Sequence, residues 1–293
     1  MNPLYLRVDV CTHRGLRDGV PGILEVLRGA RVRATFYVTF GPDASGLALL
    51  KLLNPKFALK MLRTRAASTY GWATAFYGTL LPSPLVGAGL PDLVKRIRDE
   101  GHEVGVHGWD HRRWQDRLPK YDPDRLGAEF GRMMEAHRSI LGAPPASFAS
   151  PAWLLTKDLF DLEQKAGLSF GSDTRGVSPF LPVFQGREGT VPQLPVTLAT
   201  LDECLGQMTP EEFVDASLRE AERQPDYACF TAHAESEGLA YRTVLEGFLA
   251  KVSRPVLPLG EFPRRDLPRG EIRLGRVPGR PYDVCVQAPG KDS

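Results

Sequence analysis

Short runs rich in β-branched and aromatic residues recur along this 293-residue chain, with amphipathic helical stretches or long loops between them. Tyr5–Cys11 reads as the first strand, and a helix starts near Pro21, where proline suits a first helical turn. Ala34–Phe40 reads as the second strand. His102–His107 reads as the third, after a helix from Pro91 to Glu100 that Gly101 closes. Leu126, Phe130, Met133, Met134, His137 and Leu141 fall at helical spacing and predict a long helix over Pro123–Leu141. Further strands are predicted at Ala146–Ser150, Leu168–Ser172, Val191–Leu198, Tyr227–Ala232 and Val256–Leu259. Helices fit between them at Lys157–Ala166, Pro210–Arg223 and Leu239–Val252. Seven or eight such alternations favour a parallel closed sheet with outer helices, the alternative being an open doubly wound sheet.

Several function classes drop out early. No GxGxxG or GxxxxGK[ST] fingerprint follows the first strand, which argues against a nucleotide. Lys+Arg number 37 and Asp+Glu 35, a formal charge of +2 that gives no basic field for nucleic acid. Cys11, Cys204, Cys229 and Cys285 are far apart and form no CxxC pair, the pattern of a reduced, cytosolic protein. Met1–Asp9 lacks a basic stretch followed by an apolar one, so no signal peptide is expected, and no apolar run reaches 18 residues. The chain divides into one barrel domain over 1–262, with an insertion at about 44–90, and a Pro/Gly/Arg-rich surface tail over 263–293.

Histidines and acids gather just past the expected strand ends, which form the catalytic face of a β/α barrel. They are Asp9 to His13, His107 to His111, Asp173 to Gly176, and His233 to Gly238. Residues four apart on a helical turn, as His107 and His111 are, can present two imidazoles to one divalent metal. Solvated surface histidines are the plain alternative for such a spacing. His137 falls on an apolar helix face and reads as a core histidine, while His13 and His102 read as structural or solvated.

The stretches RVDVCTHRGLRD (Arg7–Asp18), GPD (Gly41–Asp43), NPKFALKMLRTRAASTYGW (Asn54–Trp72), HEVGVHGWDHRRWQ (His102–Gln115), SDTRG (Ser172–Gly176), QLPVTL (Gln193–Leu198) and HAESEG (His233–Gly238) extend over nearly the whole chain. In this order the chain resembles the NodB-homology polysaccharide deacetylase superfamily. Within it, the chain most resembles the bacterial deformylases of 4-deoxy-4-formamido-L-arabinose–phosphoundecaprenol. The resemblance implies an α/β fold, a distorted, incomplete (β/α) barrel. It implies that Asp9 is the catalytic base, that His107 and His111 bind a divalent metal, and that His233 protonates the departing amine. Asp173 and Arg175 fall in the motif that orients acid and base. Trp109, Thr12 and Glu235 are the expected substrate contacts. Two positions depart from the family pattern. Cys11 stands where the family has an acidic metal ligand: it is either a thiolate ligand, which favours zinc, or a small packing residue. Trp153-Leu154 stands where the family has Trp-Arg, so the base lacks its usual guanidinium, with Arg175 and Arg14 as candidate substitutes.

Between Leu47 and Trp72, leucines and Phe57 interleave with Lys56, Lys60, Arg63 and Arg65. Apolar side chains with basic flanks suit a helix in the headgroup zone of an anionic membrane, the alternative being an insertion packed on the barrel. The resulting expectation is a metal-dependent amide hydrolase on the cytoplasmic face of the inner membrane. It would remove the N-formyl group from 4-deoxy-4-formamido-L-arabinose on undecaprenyl phosphate, in lipid A modification. An N-deacetylase of another amino-sugar glycan, or a weakened carbohydrate- or lipid-binding relative, is the alternative.

Overall fold

Strict alternation gives strand β1 (Leu4–Val10) two different faces, although every residue in it is buried. Leu4, Leu6, Val8 and Val10 join the apolar layer beneath the helices. Tyr5 joins a second apolar cluster with Tyr37, Ala149, Trp153, Phe170, Leu194, Val196, Tyr227 and Cys229. Arg7 and Asp9 share the parity of Tyr5, and so lie on the inner face of the sheet. The computed structural model describes residues 2–48 and 74–288.

In chain order, β1 is followed by a π-helical turn (Gly15–Gly19), α1 (Val20–Ala30) and β2 (Thr35–Val38). After the segment outside the described residues come α2 (Pro91–Asp99), β3 (Glu103–Val106), α3 (His111–Arg117), α4 (Pro123–Leu141) and β4 (Ser147–Phe148). Then follow α5 (Lys157–Lys165), β5 (Phe170–Gly171), β6 (Leu181–Phe184), β7 (Arg187–Glu188) and α6 (Leu201–Cys204). The chain continues through α7 (Pro210–Arg223), β8 (Ala228–His233), α8 (Arg242–Lys251), β9 (Val256–Leu257), β10 (Arg269–Gly275) and β11 (Val284–Gln287). A parallel sheet runs β5-β4-β3-β2-β1-β8, with β9 also paired to β1. It is a curled, open sheet of the expected distorted-barrel kind.

The strand expected over Val191–Leu198 becomes an irregular bridge across the open seam. On the β5 side Gly171 N donates to Pro192 O and Leu194 N donates to Gly171 O, each at 2.8 Å. On the β8 side Leu198 N donates to Cys229 O at 3.2 Å. Pro192 and Pro195 carry no N–H, so this stretch cannot complete a regular ladder.

The expected surface tail requires correction. β10 and β11 build a second sheet of order β11-β10-β6-β7, and Ile272, Val284 and Cys285 are buried in it. β10 shows the sequence only one buried side chain among seven, so its arginines and glycines hide the alternation.

Candidate metal centre

Asp9 and Arg7, two residues apart on the inner face of β1, are 2% and 1% exposed. The Arg7 fork donates to both oxygens of Asp9, at 2.6 and 2.8 Å, and its remaining nitrogen bonds Ser172 O and Oγ. Burial alone would raise the Asp9 carboxyl; Arg7, then His107, outweigh it and hold Asp9 at about 2. The guanidinium missing at Leu154 is therefore supplied by Arg7, not by Arg175 or Arg14. The signal was in the sequence, since residues i and i+2 of a strand share a face.

His107 follows β3, and its Nδ1 bonds Ala149 O at 2.7 Å, which directs the Nε2 lone pair inward. Gly108 then turns the chain with φ 74°, where a Cβ would come within 2.8 Å of Pro151. Asp110 caps α3 by accepting from Arg113 N at 2.9 Å, so the helix opens on His111. The two imidazole centroids are 4.9 Å apart. Burial lowers His107 to about 4 and pushes His111 well below the ordinary histidine value, so both rings are neutral.

Cys11 Sγ and one nitrogen each of His107 and His111 all lie within 4.8 Å of one another. One sulfur and two neutral imidazoles, one of them oriented by a carbonyl, make a donor set that fits a divalent metal. The thiol is raised by burial, then by Glu235 and Asp9, so ligation would have to displace its proton.

His233 ends β8 directly beside Asp9 in the parallel register. Burial opposes its protonation, but Asp202, then Asp9 and Glu237, outweigh it and raise the ring above its ordinary value. Thr12 and Glu235, both expected as substrate contacts, are buried and bonded to each other. Glu235 Oε1 accepts from Cys11 N, Thr12 N and Thr12 Oγ1 at 2.9, 2.7 and 2.8 Å, and so supports the Cys11 loop from beneath. Trp109 packs partly buried beside the site, its carbonyl accepting from Gly41 N at 2.9 Å. Asp43, just after Gly41, accepts from His13 N at 2.9 Å.

Asp173 accepts from Ser150 N and Gln193 Nε2, at 2.6 and 2.7 Å. Its neighbour Ser172 holds Arg7, so Asp173 lies directly behind the Arg7–Asp9 pair. Arg175 pairs with Glu203 at 2.5 Å and donates to Val196 O and Leu198 O. The guanidiniums of Arg7, Arg175 and Arg280 surround the Trp153 ring at 5.8, 5.0 and 4.6 Å. Arg280, Asp202 and Glu203 were not among the expected site residues. The membrane-contact candidates Lys56, Lys60, Arg63 and Arg65 lie outside the described residues.

The family profile described as polysaccharide deacetylase matches residues 2–171. The chain is 36% identical over 294 residues to a probable 4-deoxy-4-formamido-L-arabinose-phosphoundecaprenol deformylase of Shewanella sediminis, covering 97% of this chain and 94% of that one. A protein of the same description from Wigglesworthia glossinidia brevipalpis is 31% identical, over 80% and 82% of the two chains. Among solved structures, a Mycobacterium smegmatis chain assigned provisionally to the polysaccharide deacetylases superposes with a TM-score of 0.61 at 18% identity, covering 87% and 86%. Puue allantoinase gives 0.57 at 15% identity, covering 89% and 87%; both share the fold. The chain belongs to the polysaccharide deacetylase family. It is a metal-dependent amide hydrolase of the NodB type.

Proposed function

We propose that this protein removes the N-formyl group from 4-deoxy-4-formamido-L-arabinose carried on undecaprenyl phosphate, at the cytoplasmic face of the inner membrane. Support for the substrate is the near full-length similarity to the Shewanella sediminis deformylase. The single observation that carries the chemistry is the Arg7-clamped Asp9 beside His107, with its oxygen 3.8 Å from Nε2. Cys11, His107 and His111 would hold the metal, which supplies Lewis acidity toward the amide carbonyl and lowers the pKa of water at the site. The thiolate makes zinc the favoured ion.

The chain's own groups divide the proton transfers. Asp9 is an anion across the neutral range, and each oxygen keeps a lone pair beyond its bond to Arg7, so it accepts the proton of the attacking water. His233, whose pKa burial lowers but Asp202, Asp9 and Glu237 raise above the ordinary histidine value, delivers a proton to the amide nitrogen as the C–N bond breaks. Asp173 and Arg175 act behind these two, through Ser172–Arg7 and through Glu203.

The lipid carrier brings the reaction to a bilayer. Among the described residues no helix is long and apolar enough to cross one. The basic, apolar stretch Leu47–Trp72 is our candidate for contact with an anionic surface. Its described roots, around Asp43 and Pro84, are joined at 2.8 Å, and Asp43 bonds His13 close to Cys11. Formyl and acetyl differ by one methyl, worth only about 1–3 kcal/mol of discrimination. The test is therefore direct: zinc-loaded protein is incubated with the formylated and the acetylated lipid-linked sugar, and free amine is scored. Amine release from neither, or from the acetylated compound alone, rejects the deformylase reading.

A further inference from the structure

Cys11 stands one residue beyond β1, and its place is set from the far end of the chain. The paired register of β1 and β8 ends with Asp9 and His233, and Ala234 N donates to Asp9 O at 2.9 Å just past it. Cys11 N, next along that edge, turns to a side chain and donates to Glu235 Oε1 at 2.9 Å. Thr12 N and Thr12 Oγ1 donate to the same oxygen, at 2.7 and 2.8 Å. Two successive amides and a hydroxyl thus close on one carboxylate oxygen. Thr12 Oγ1 is fixed from its other side as well, accepting from Gly15 N at 2.9 Å.

Glycines make room for this approach. A Cβ on Gly15 would overlap Glu235 Oε1, and one on Gly19 would overlap Ala234 O. The π-helical turn Gly15–Gly19 and the loop after His233 therefore meet through bare backbone, with Glu235 enclosed at 3% exposure. At that depth its Oε1 is committed to the Cys11 loop rather than to a sugar. Each imidazole of the candidate centre has its own support, Ala149 O for His107 and the Asp110 cap for the helix that opens on His111. Glu235 is the corresponding support of the thiol, whose Sγ lies within 4.8 Å of a nitrogen of each ring.

We propose that Glu235 is the positioning residue of Cys11: it fixes the Cys11–Thr12 backbone so that the thiol meets the two imidazoles at one point, and so makes metal affinity depend on the loop that follows His233. This rests on Cys11 being a metal ligand.

Wild type, E235A, E235Q, C11S and E235A/C11S are stripped of metal and checked for folding by circular dichroism. Each is titrated with zinc against a chromophoric chelator, and with cobalt(II), whose near-ultraviolet charge-transfer absorption reports a bound thiolate. E235A is expected to weaken zinc binding by roughly 10–100-fold and to lose most of the thiolate band. E235Q, whose amide oxygen still accepts from both backbone N–H groups, should keep most of the affinity and of the band. In the C11S background E235A should cost little more, since the carboxylate acts through the thiol. Wild-type affinity and band in E235A, with C11S weakened, would overturn the role of Glu235 and leave the ligand standing, and so would an equal loss from E235A in both backgrounds. Wild-type zinc affinity in C11S would overturn Cys11 as a ligand, and this inference with it. If E235A does not fold, E235D, whose carboxylate is one methylene short of the two amides, is judged by the same two readings.

Discussion

At the scale of single residues, Arg7 carries more than a structural position so deep in the barrel suggests. Replacing it by methionine removes the fork that holds Asp9 and leaves a buried carboxylate without this guanidinium, a loss of roughly 3–5 kcal/mol. The pH dependence has a definite sign. Asp9 in the folded protein lies at about 2, below the roughly 3.9 of an unfolded chain, so its stabilisation is complete above that value and lost as pH falls through about 2. The melting gap between wild type and Arg7→Met should be widest near pH 7 and narrow between pH 4 and 2; a gap constant over that range would reject the pairing as its cause. Cys11 invites a second substitution. Cys11→Asp should retain metal while shifting preference from zinc toward harder ions, and Cys11→Ser should lose it, both read by metal titration. Unchanged zinc affinity in Cys11→Ser would make the residue a packing group. Arg7 was legible from strand parity, whereas the family's Trp-Arg pattern places the guanidinium at Leu154, far from Arg7 in the sequence. Asp202 and Arg280 gave no comparable signal, since their partnership spans 78 residues and exists only in the folded barrel.

At the scale of elements, legibility followed the caps. The helices expected at Pro123–Leu141 and Pro210–Arg223 have those bounds, because Asp122 and Thr209 cap their starts and Gly142 ends the first in a left-handed turn. Short strands were overestimated: β4 and β5 have two residues each within longer apolar runs. Helix α5 carries a group that no periodicity flags. Glu163 is fully buried, its carboxyl meets no donor, and it lies against Asp173. Burial, then Asp173, raise Glu163 well above an ordinary glutamate, so it is protonated in the fold. Such a group stabilises below its unfolded pKa of roughly 4.3, and that contribution is lost as pH rises through the folded value. Glu163→Gln, which keeps a donor without an ionisable proton, should flatten the fall of melting temperature as pH rises above about 4.3. A variant melting curve that follows wild type as pH rises from about 4.3 would show that Glu163 does not cause the decline.

At the scale of the whole molecule, the second sheet is part of what holds the barrel's open side. Arg175 N donates to Cys285 O at 2.9 Å, and Gln287 N to Arg175 O at 2.7 Å, so β11 grips the strap that bears Arg175. A chain ending at Asp266 lacks β10, β11 and Arg280, and leaves β6 without its parallel partner. It should melt earlier and less cooperatively than the full chain by circular dichroism. A truncated protein with the full chain's melting curve would make the C-terminal sheet an appendage. Composition hid this role, because Pro, Gly and Arg read as loop until a neighbouring strand is present to pair with them.

The parallel pairing of β1 with β8 also sets a timetable for the newborn protein. β1 is made first, but its partner on that side arrives only with Ala228–His233, and the bonds from Cys11 to Glu235 close a separation of 224 residues. At roughly 5–20 residues per second, a ribosome leaves that edge unclosed for tens of seconds. Leu4, Leu6, Val8 and Val10 are therefore already made while one side of their strand still lacks its mate, the condition that draws chaperones or misplaced strands. All three side chains of the candidate metal centre, Cys11, His107 and His111, are made by residue 111, more than 100 residues before His233, the proposed proton donor. A nascent chain could thus meet its metal well before it can complete a turnover.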